Sequence, residues 1–124
     1  MKRAADYLSE ANNAVPRVEA KDTISKHGGD TIFIDVRDSS DIAGTGTIAG
    51  ALRIPRGFIE FAADDATPFF NKALSKEAEI VLICAAGGQA ALAGKTLLDM
   101  GYKNVSNVGG ISDWKDAGGA MEDA

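Results

Sequence analysis

The chain has 124 residues, 45% of them hydrophobic and 25% charged, with a formal net charge of −5. That balance describes one folded domain rather than a disordered segment, and the acidity weighs against nucleic acid or an anionic membrane surface as partner. A single cysteine excludes an intrachain disulfide and any cysteine-rich metal site, and it suits a reducing compartment.

Ala4, Leu8, Ala11 and Val15 recur at helical spacing, so residues 1–15 are expected to form an amphipathic helical extension stopped by Pro16. Asp6, Ser9 and Glu10 interrupt the stretch after Met1-Lys2-Arg3, so no signal peptide is read there. No run is long enough to span a bilayer, and the expected location is cytoplasmic. Arg17-Val18 reads as a brief edge strand. Ala20 and Ile24 mark a second short helix ended by Gly28-Gly29, with His27 in its last turn, where a partly cationic ring suits the helix dipole.

Thr31-Ile32-Phe33-Ile34-Asp35-Val36-Arg37 is nearly continuous apolar sequence that ends in charge. A strand apolar on both faces implies a sheet covered on both sides, and hence a parallel α/β arrangement. Asp35 and Arg37 fall at its carboxyl end, where open α/β sheets place their binding crevice. Residues 38–50 read as a short helix plus loop, and Ala51-Leu52-Arg53-Ile54-Pro55 as a short strand ended by proline. Phe58, Phe61 and Ala62 share a helical face. Thr67-Pro68 has the form of an N-cap and first-turn proline opening a helix from Phe69 to Leu74. Phe33, Phe61 and Trp114 are read as core.

The strand Glu79–Ile83 then delivers Cys84 into Ala85-Ala86-Gly87-Gly88-Gln89-Ala90. The N–H groups of a glycine-bearing turn and the positive end of the following helix favour an anion there, and such a field favours a thiolate. The plain alternative is a buried structural thiol at a strand end. Ala90, Ala93, Leu97 and Met100 share one face of the next helix, and Gly101 stops it. Gly94 inside that helix costs about 1 kcal/mol against alanine, which is best explained by close packing on the sheet. Asn104–Val108 is one more strand. Gly109-Gly110 turns into a last helix bearing Ile111 and Trp114, and Gly118-Gly119 ends the fold.

The ordered motifs are Asp35-Val36-Arg37, Ile48-Ala49-Gly50-Ala51 running to Ile54-Pro55, Cys84-Ala85-Ala86-Gly87-Gly88, Met100-Gly101-Tyr102, and Gly109-Gly110 ahead of Trp114. Together they resemble the single-domain rhodanese (sulfurtransferase) family. The resemblance covers roughly residues 16–120 of a chain read as one domain over 1–124, and it implies a three-layer fold built on a central parallel sheet of about five strands flanked by helices. It implies that Cys84 attacks a sulfane-sulfur donor such as thiosulfate, carries the outer sulfur as a persulfide, and yields it to a thiol, a cyanide-like acceptor or a protein acceptor. The N–H groups of Ala85, Ala86, Gly87, Gly88, Gln89 and Ala90 would cradle the anions, and no metal or organic cofactor is required.

The chain departs from the family loop, which reads Cys, two residues, Gly, one residue, Arg, then Ser. Gln89 stands at the arginine position, and a neutral amide does not replace a bidentate cation. Losing that charged contact would cost about 2–4 kcal/mol in transition-state binding. The alternative function is therefore a weakly active or inactive rhodanese-like module for binding or redox sensing. Arg56, after Ile54-Pro55, is the candidate for a compensating charge. Asp35 and Arg37 are expected to support the loop, with Arg37 paired to Asp35 or Asp41. A Cys-x5-Arg phosphatase loop would need arginine at position 90, where this chain has Ala90.

Overall fold

A computed structural model describes all of residues 1–124. In chain order its elements are α1 (Ala4–Ala14), α2 (Ala20–Thr23), β1 (Ile32–Asp35), α3 (Ser39–Thr45), β2 (Thr47–Ile48), β3 (Leu52–Arg53) and α4 (Ile59–Ala62). These are followed by β4 (Glu79–Cys84), α5 (Gly88–Asp99), β5 (Asn104–Gly110), α6 (Ile111–Asp116) and β6 (Met121–Glu122). The main sheet runs β3-β1-β4-β5 with every pair parallel. Helices cover both faces, as the apolar strands require. No helix is long and apolar enough to cross a membrane.

Successive strand residues serve opposite faces. Ile34 and Leu82 join Val15, Ala90, Ala93, Leu97 and Tyr102 in the core under α1, α4 and α5. Phe33, Val81 and Ile83 join Val108, Ile111 and Trp114 on the side of α2 and α6. The helix α5 carries the expected apolar face, and Gly101 closes it at φ 95° while the Tyr102 N–H donates back to the Leu97 carbonyl. At Gly94 a Cβ would lie 2.9 Å from Val15 Cγ2 and 3.2 Å from Leu82 Cδ1. The glycine lets α5 pack down on β4 and on the end of α1 together.

Four expectations need correction. The main sheet has four strands, and the expected edge strand at Arg17-Val18 shrinks to a single parallel bridge from Arg17 to Asn107. Pro16 offers no N–H, and the chain enters α2 three residues after Arg17, so there is no room for a longer ladder. The helix expected from Phe69 to Leu74 is a run of turns. Thr67 Oγ1 donates to the Phe61 carbonyl at 2.6 Å, and the Asn71 N–H bonds back to the Ala62 carbonyl at 2.8 Å, folding the segment onto α4. Phe61 is 49% exposed and clusters with Phe58 and Phe69 at the surface rather than in the core. Finally, Gly118-Gly119 ends α6 but not the fold. Gly119 passes against the Trp114 ring, the Trp114 Nε1–H donates to the Ala120 carbonyl at 2.9 Å, and β6 pairs antiparallel with β2.

His27 follows the short 3-10 turn Ile24–Lys26 and holds a loop rather than a dipole. Its Nε2–H donates to the Ala49 carbonyl at 2.6 Å, and its ring packs by Phe33 and Trp114. At the amino end of the sheet, Glu79 accepts from Thr31 Oγ1 at 2.8 Å and pairs with Lys26 Nζ at 2.5 Å. The Lys26 bond, and then the Thr31 bond, hold the Glu79 carboxyl below the usual glutamate range.

Two outcomes follow from this packing. Gly94→Val forces a side chain into Val15 and Leu82, and should lower the unfolding free energy by about 2 kcal/mol in urea titration with an unchanged m-value. A carboxyl with a depressed folded-state pKa contributes stability above its unfolded pKa and loses it as pH falls through the folded one. Glu79→Gln should therefore be less stable than wild type at neutral pH, and the gap should close between about pH 5 and pH 3 in pH-dependent thermal melts.

Candidate active site

β4 ends at Cys84, which is only 2% exposed and stands at the carboxyl edge of the sheet between β1 and β5. The neighbouring strand is irregular at this level. Leu82 pairs with Asn107 but Ile83 pairs with Gly109, so β5 carries one extra residue, and Gly109 takes φ 95°. A bulge of this kind re-aims the chain at a strand end. Here it turns the Asn107 side chain toward the cysteine loop. Asn107 Nδ2 donates to the Gly87 carbonyl at 2.8 Å, and Asn107 Oδ1 accepts from the Gly109 N–H at 2.8 Å.

That bond orients the turn. Gly87 lies at φ 107°, ψ −13°, a conformation that favours glycine, and it immediately precedes α5. Its N–H donates to Cys84 Sγ at 2.9 Å. The N–H groups of Ala85, Ala86, Gly88, Gln89 and Ala90 have no acceptor in the protein. Six consecutive residues after the cysteine thus offer one N–H to its sulfur and five more without partners, at the positive end of a 12-residue helix. A Cβ on Gly110 would strike the Ala85 carbonyl, so Gly110 is what allows the loop to rest on the end of β5. Gly88 is half-buried beside Leu8 of α1, and Ala90 is fully buried. Ala85, Ala86 and Gln89 are exposed, and the Gln89 side chain makes no hydrogen bond. The arrangement can hold an anion at or beside the sulfur.

The other candidate residues lie apart from this cradle. Asp35 and Arg37 are buried and tightly joined, with Arg37 Nη2 2.8 Å from Asp35 Oδ2. Their remaining bonds run to Thr47 Oγ1, Thr45 Oγ1 and the Gly46 carbonyl. Arg37 is paired with Asp35 and not Asp41, and the pair braces the loop between α3 and β2 rather than the cysteine loop. Arg56 does not reach the loop. Its guanidinium bonds Glu60 Oε1 at 3.0 Å and Thr96 Oγ1 at 3.1 Å. Thr96 lies two turns along α5 from Gly88, about 12 Å from the helix start.

Two residues at the site escaped the sequence reading. Asn107 left one visible signal, an amide in mid-strand, where such a residue is disfavoured. Arg17 left none, because it arrives from the far edge of β5. Its guanidinium lies over Gly87 and Gly109, with Nη1 2.6 Å from where a Cβ on Gly87 would sit. No group of three or more His, Cys, Asp or Glu side chains is arranged to hold a metal ion.

Comparison with known proteins finds the same overall fold. A protein of unknown function from Rhodopseudomonas palustris CGA009, described as a possible tyrosine phosphatase, superposes with a TM-score of 0.91 at 34% identity, covering 98% of this chain and 96% of that one. A polysulfide-sulfur transferase homodimer from Wolinella succinogenes gives a TM-score of 0.71 at 27% identity, covering 94% and 85%. An adenylyltransferase and sulfurtransferase of Meyerozyma guilliermondii is 29% identical over 99 residues; the match takes in 79% of this chain but only 23% of that larger protein. A family described as the rhodanese-like domain matches residues 18–117. With the parallel sheet, the strand-end cysteine and the glycine turn all in place, the chain belongs to the rhodanese-like domain family.

Proposed function

We propose that this domain is a rhodanese-type sulfurtransferase with Cys84 as the sulfur carrier. The observation that carries this reading is the run of six N–H groups that follows Cys84, one donating to Sγ and five without acceptors. Sulfur transfer passes through anions at that point twice, once as the thiolate with its donor and once as the persulfide. Fixed N–H donors stabilise both with little reorganisation. With thiosulfate as donor, the Cys84 thiolate attacks the outer sulfur. An S–S bond forms to Cys84, the S–S bond of the donor breaks, and sulfite leaves with the electron pair. An acceptor nucleophile, a thiol or cyanide, then attacks the terminal sulfur and releases the Cys84 thiolate. The exchange needs no cofactor and no external oxidant or reductant.

The small side chains of Ala85 and Ala86 leave the loop open to a small donor or to a protein acceptor. Phosphoryl transfer fits the residues less well. The position that would bear a phosphate-binding arginine is Ala90, fully buried at the start of α5. A binding or redox-sensing role with little turnover is the second reading, and the neutral, unbonded Gln89 side chain favours it.

Intact mass spectrometry after incubation with thiosulfate or 3-mercaptopyruvate should show a one-sulfur adduct on wild type and none on Cys84→Ser. No adduct from any sulfane donor would remove the enzymatic reading in favour of the second. Asn107→Ala leaves the Gly87 carbonyl and the Gly109 N–H without partners, and should cost about 1–3 kcal/mol of stability in urea titration. It should also slow adduct formation about tenfold, because the Gly87 N–H loses its aim at the sulfur. Unchanged loading kinetics would mean that the turn holds its shape without the amide.

A further inference from the structure

The cysteine loop collects N–H donors but carries no charged side chain of its own from Ala85 to Ala90. The lysines and arginines that bear ion pairs are engaged away from it: Arg37 with Asp35, Arg53 with Glu122, Arg56 with Glu60, Lys95 with Asp99. Arg17 is different. Its side chain makes no hydrogen bond and no ion pair, yet its guanidinium is packed over two glycines of the site. A Cβ on Gly87 would lie 2.6 Å from Nη1 and 3.1 Å from Cζ, and one on Gly109 would overlap Nη2. Gly87 is buried although the loop residues Ala85, Ala86 and Gln89 around it are exposed.

The backbone holds this side chain at its root. Arg17 forms a parallel bridge to Asn107, with the Val18 N–H donating to the Asn107 carbonyl and the Asn107 N–H to the Pro16 carbonyl, both at 2.9 Å. The same Asn107 bonds the Gly87 carbonyl through its side chain. Arg17 and the cysteine loop are thus hung from one residue. The Gly87 N–H in turn donates to Cys84 Sγ, so the guanidinium, packed over Gly87, lies within about 9 Å of the sulfur. Glu19, Asp113 and Asp116 line the same surface as Arg17, and none of them forms an ion pair with it. Asp113 Oδ2 accepts from the Gly110 N–H at 3.0 Å and borders Gly109.

We propose that Arg17 supplies the positive charge that draws anionic donors to Cys84, a role the neutral Gln89 side chain does not fill. An uncommitted guanidinium packed over the Gly87 turn is a fork of donors for the oxyanion end of a molecule whose sulfur meets the thiol. It makes Arg17 a specificity residue favouring sulfonate- or carboxylate-bearing sulfur donors over neutral ones. The inference deepens the sulfur-transfer reading and rests on it for the donor's identity, but the charge itself is testable without sulfur transfer.

The test compares alkylation of Cys84 by iodoacetate and by iodoacetamide, an anionic and a neutral reagent attacked by the same thiolate. The ratio of the two rates reports the charge at the thiol. Arg17→Gln should lower that ratio about threefold at low salt, and Arg17→Glu should lower it further. Arg17→Lys should keep most of it, and the difference between wild type and Arg17→Gln should shrink at 1 M salt. Circular dichroism confirms that each variant is folded, and the lysine variant carries the comparison if the others are not. Thiosulfate loading should fall in the same order. A ratio indifferent to the charge at position 17, in protein that still takes sulfur from thiosulfate, overturns this inference alone. A wild-type thiol that reacts with neither reagent overturns the sulfur-transfer reading as well.

Discussion

One buried amide ties together the carboxyl end of this sheet. Asn107 is 1% exposed, and its side chain satisfies the Gly87 carbonyl on one side and the Gly109 N–H on the other. Its backbone pairs with Leu82 of β4 and with the Arg17 bridge. A buried amide with both ends bonded is a rigid strut, and one with either end free is a liability. Because it spans the bulge in β5, it converts an irregularity in strand pairing into a fixed orientation for the turn after Cys84. The aim of the Gly87 N–H at the sulfur, the left-handed turn into α5, and the approach of Arg17 all depend on that strut.

The acidic and basic groups near the sheet's carboxyl end divide into a structural set and an available one. Asp35 and Arg37 are sealed, with every hydrogen bond directed inward to each other and to residues 45–47. Removing one member of such a pair strands the other's charge, at a cost of about 3–5 kcal/mol. They therefore brace the fold beside the site. Arg56 is likewise committed to Glu60 and Thr96. Arg17 alone combines proximity to the loop with freedom from any partner. The glycines at 87, 109 and 110 are what make that proximity possible, since a Cβ at any of them would meet Arg17 or the Ala85 carbonyl. The site owes its shape to missing side chains as much as to present ones.

The N-terminal extension belongs to the same construction. α1 packs along α5, placing Leu8 beside Gly88 and Val15 against Gly94. It therefore covers the start of the helix whose N-terminus faces the cysteine. Pro16 then ends the extension where Arg17 must turn onto the edge of β5. The family match begins at residue 18, so both the wall over Gly88 and the cation at position 17 come from the segment just before the shared domain.

Local pattern determined much of this protein. The apolar runs at 32–35 and 79–84 specify a buried parallel sheet. The helical face of Ala90, Ala93 and Leu97 specifies α5, and a cysteine followed by small residues and two glycines specifies a thiol at a strand end entering a helix. These features have periods or spacings shorter than the element that bears them, so a linear reading finds them. The short strands β2 and β6 were not legible, because two residues carry no period and their pairing spans most of the chain. The turns at 67–74 do not follow the local pattern because Thr67 donates to the Phe61 carbonyl of α4 and to the Asp64 carbonyl beyond it instead of opening a new helix, a choice of acceptor that only the folded chain makes. Phe61 departs from the core expectation for a related reason: it packs with Phe58 and Phe69 in a cluster that stays at the surface. Arg17, Asn107 and Gly87 lie up to 90 residues apart and meet only because a parallel sheet brings its carboxyl ends to one edge. Backbone shape around Cys84 is a local property of glycine spacing, but the charge beside it is a long-range one, set by which side chain the tertiary fold delivers.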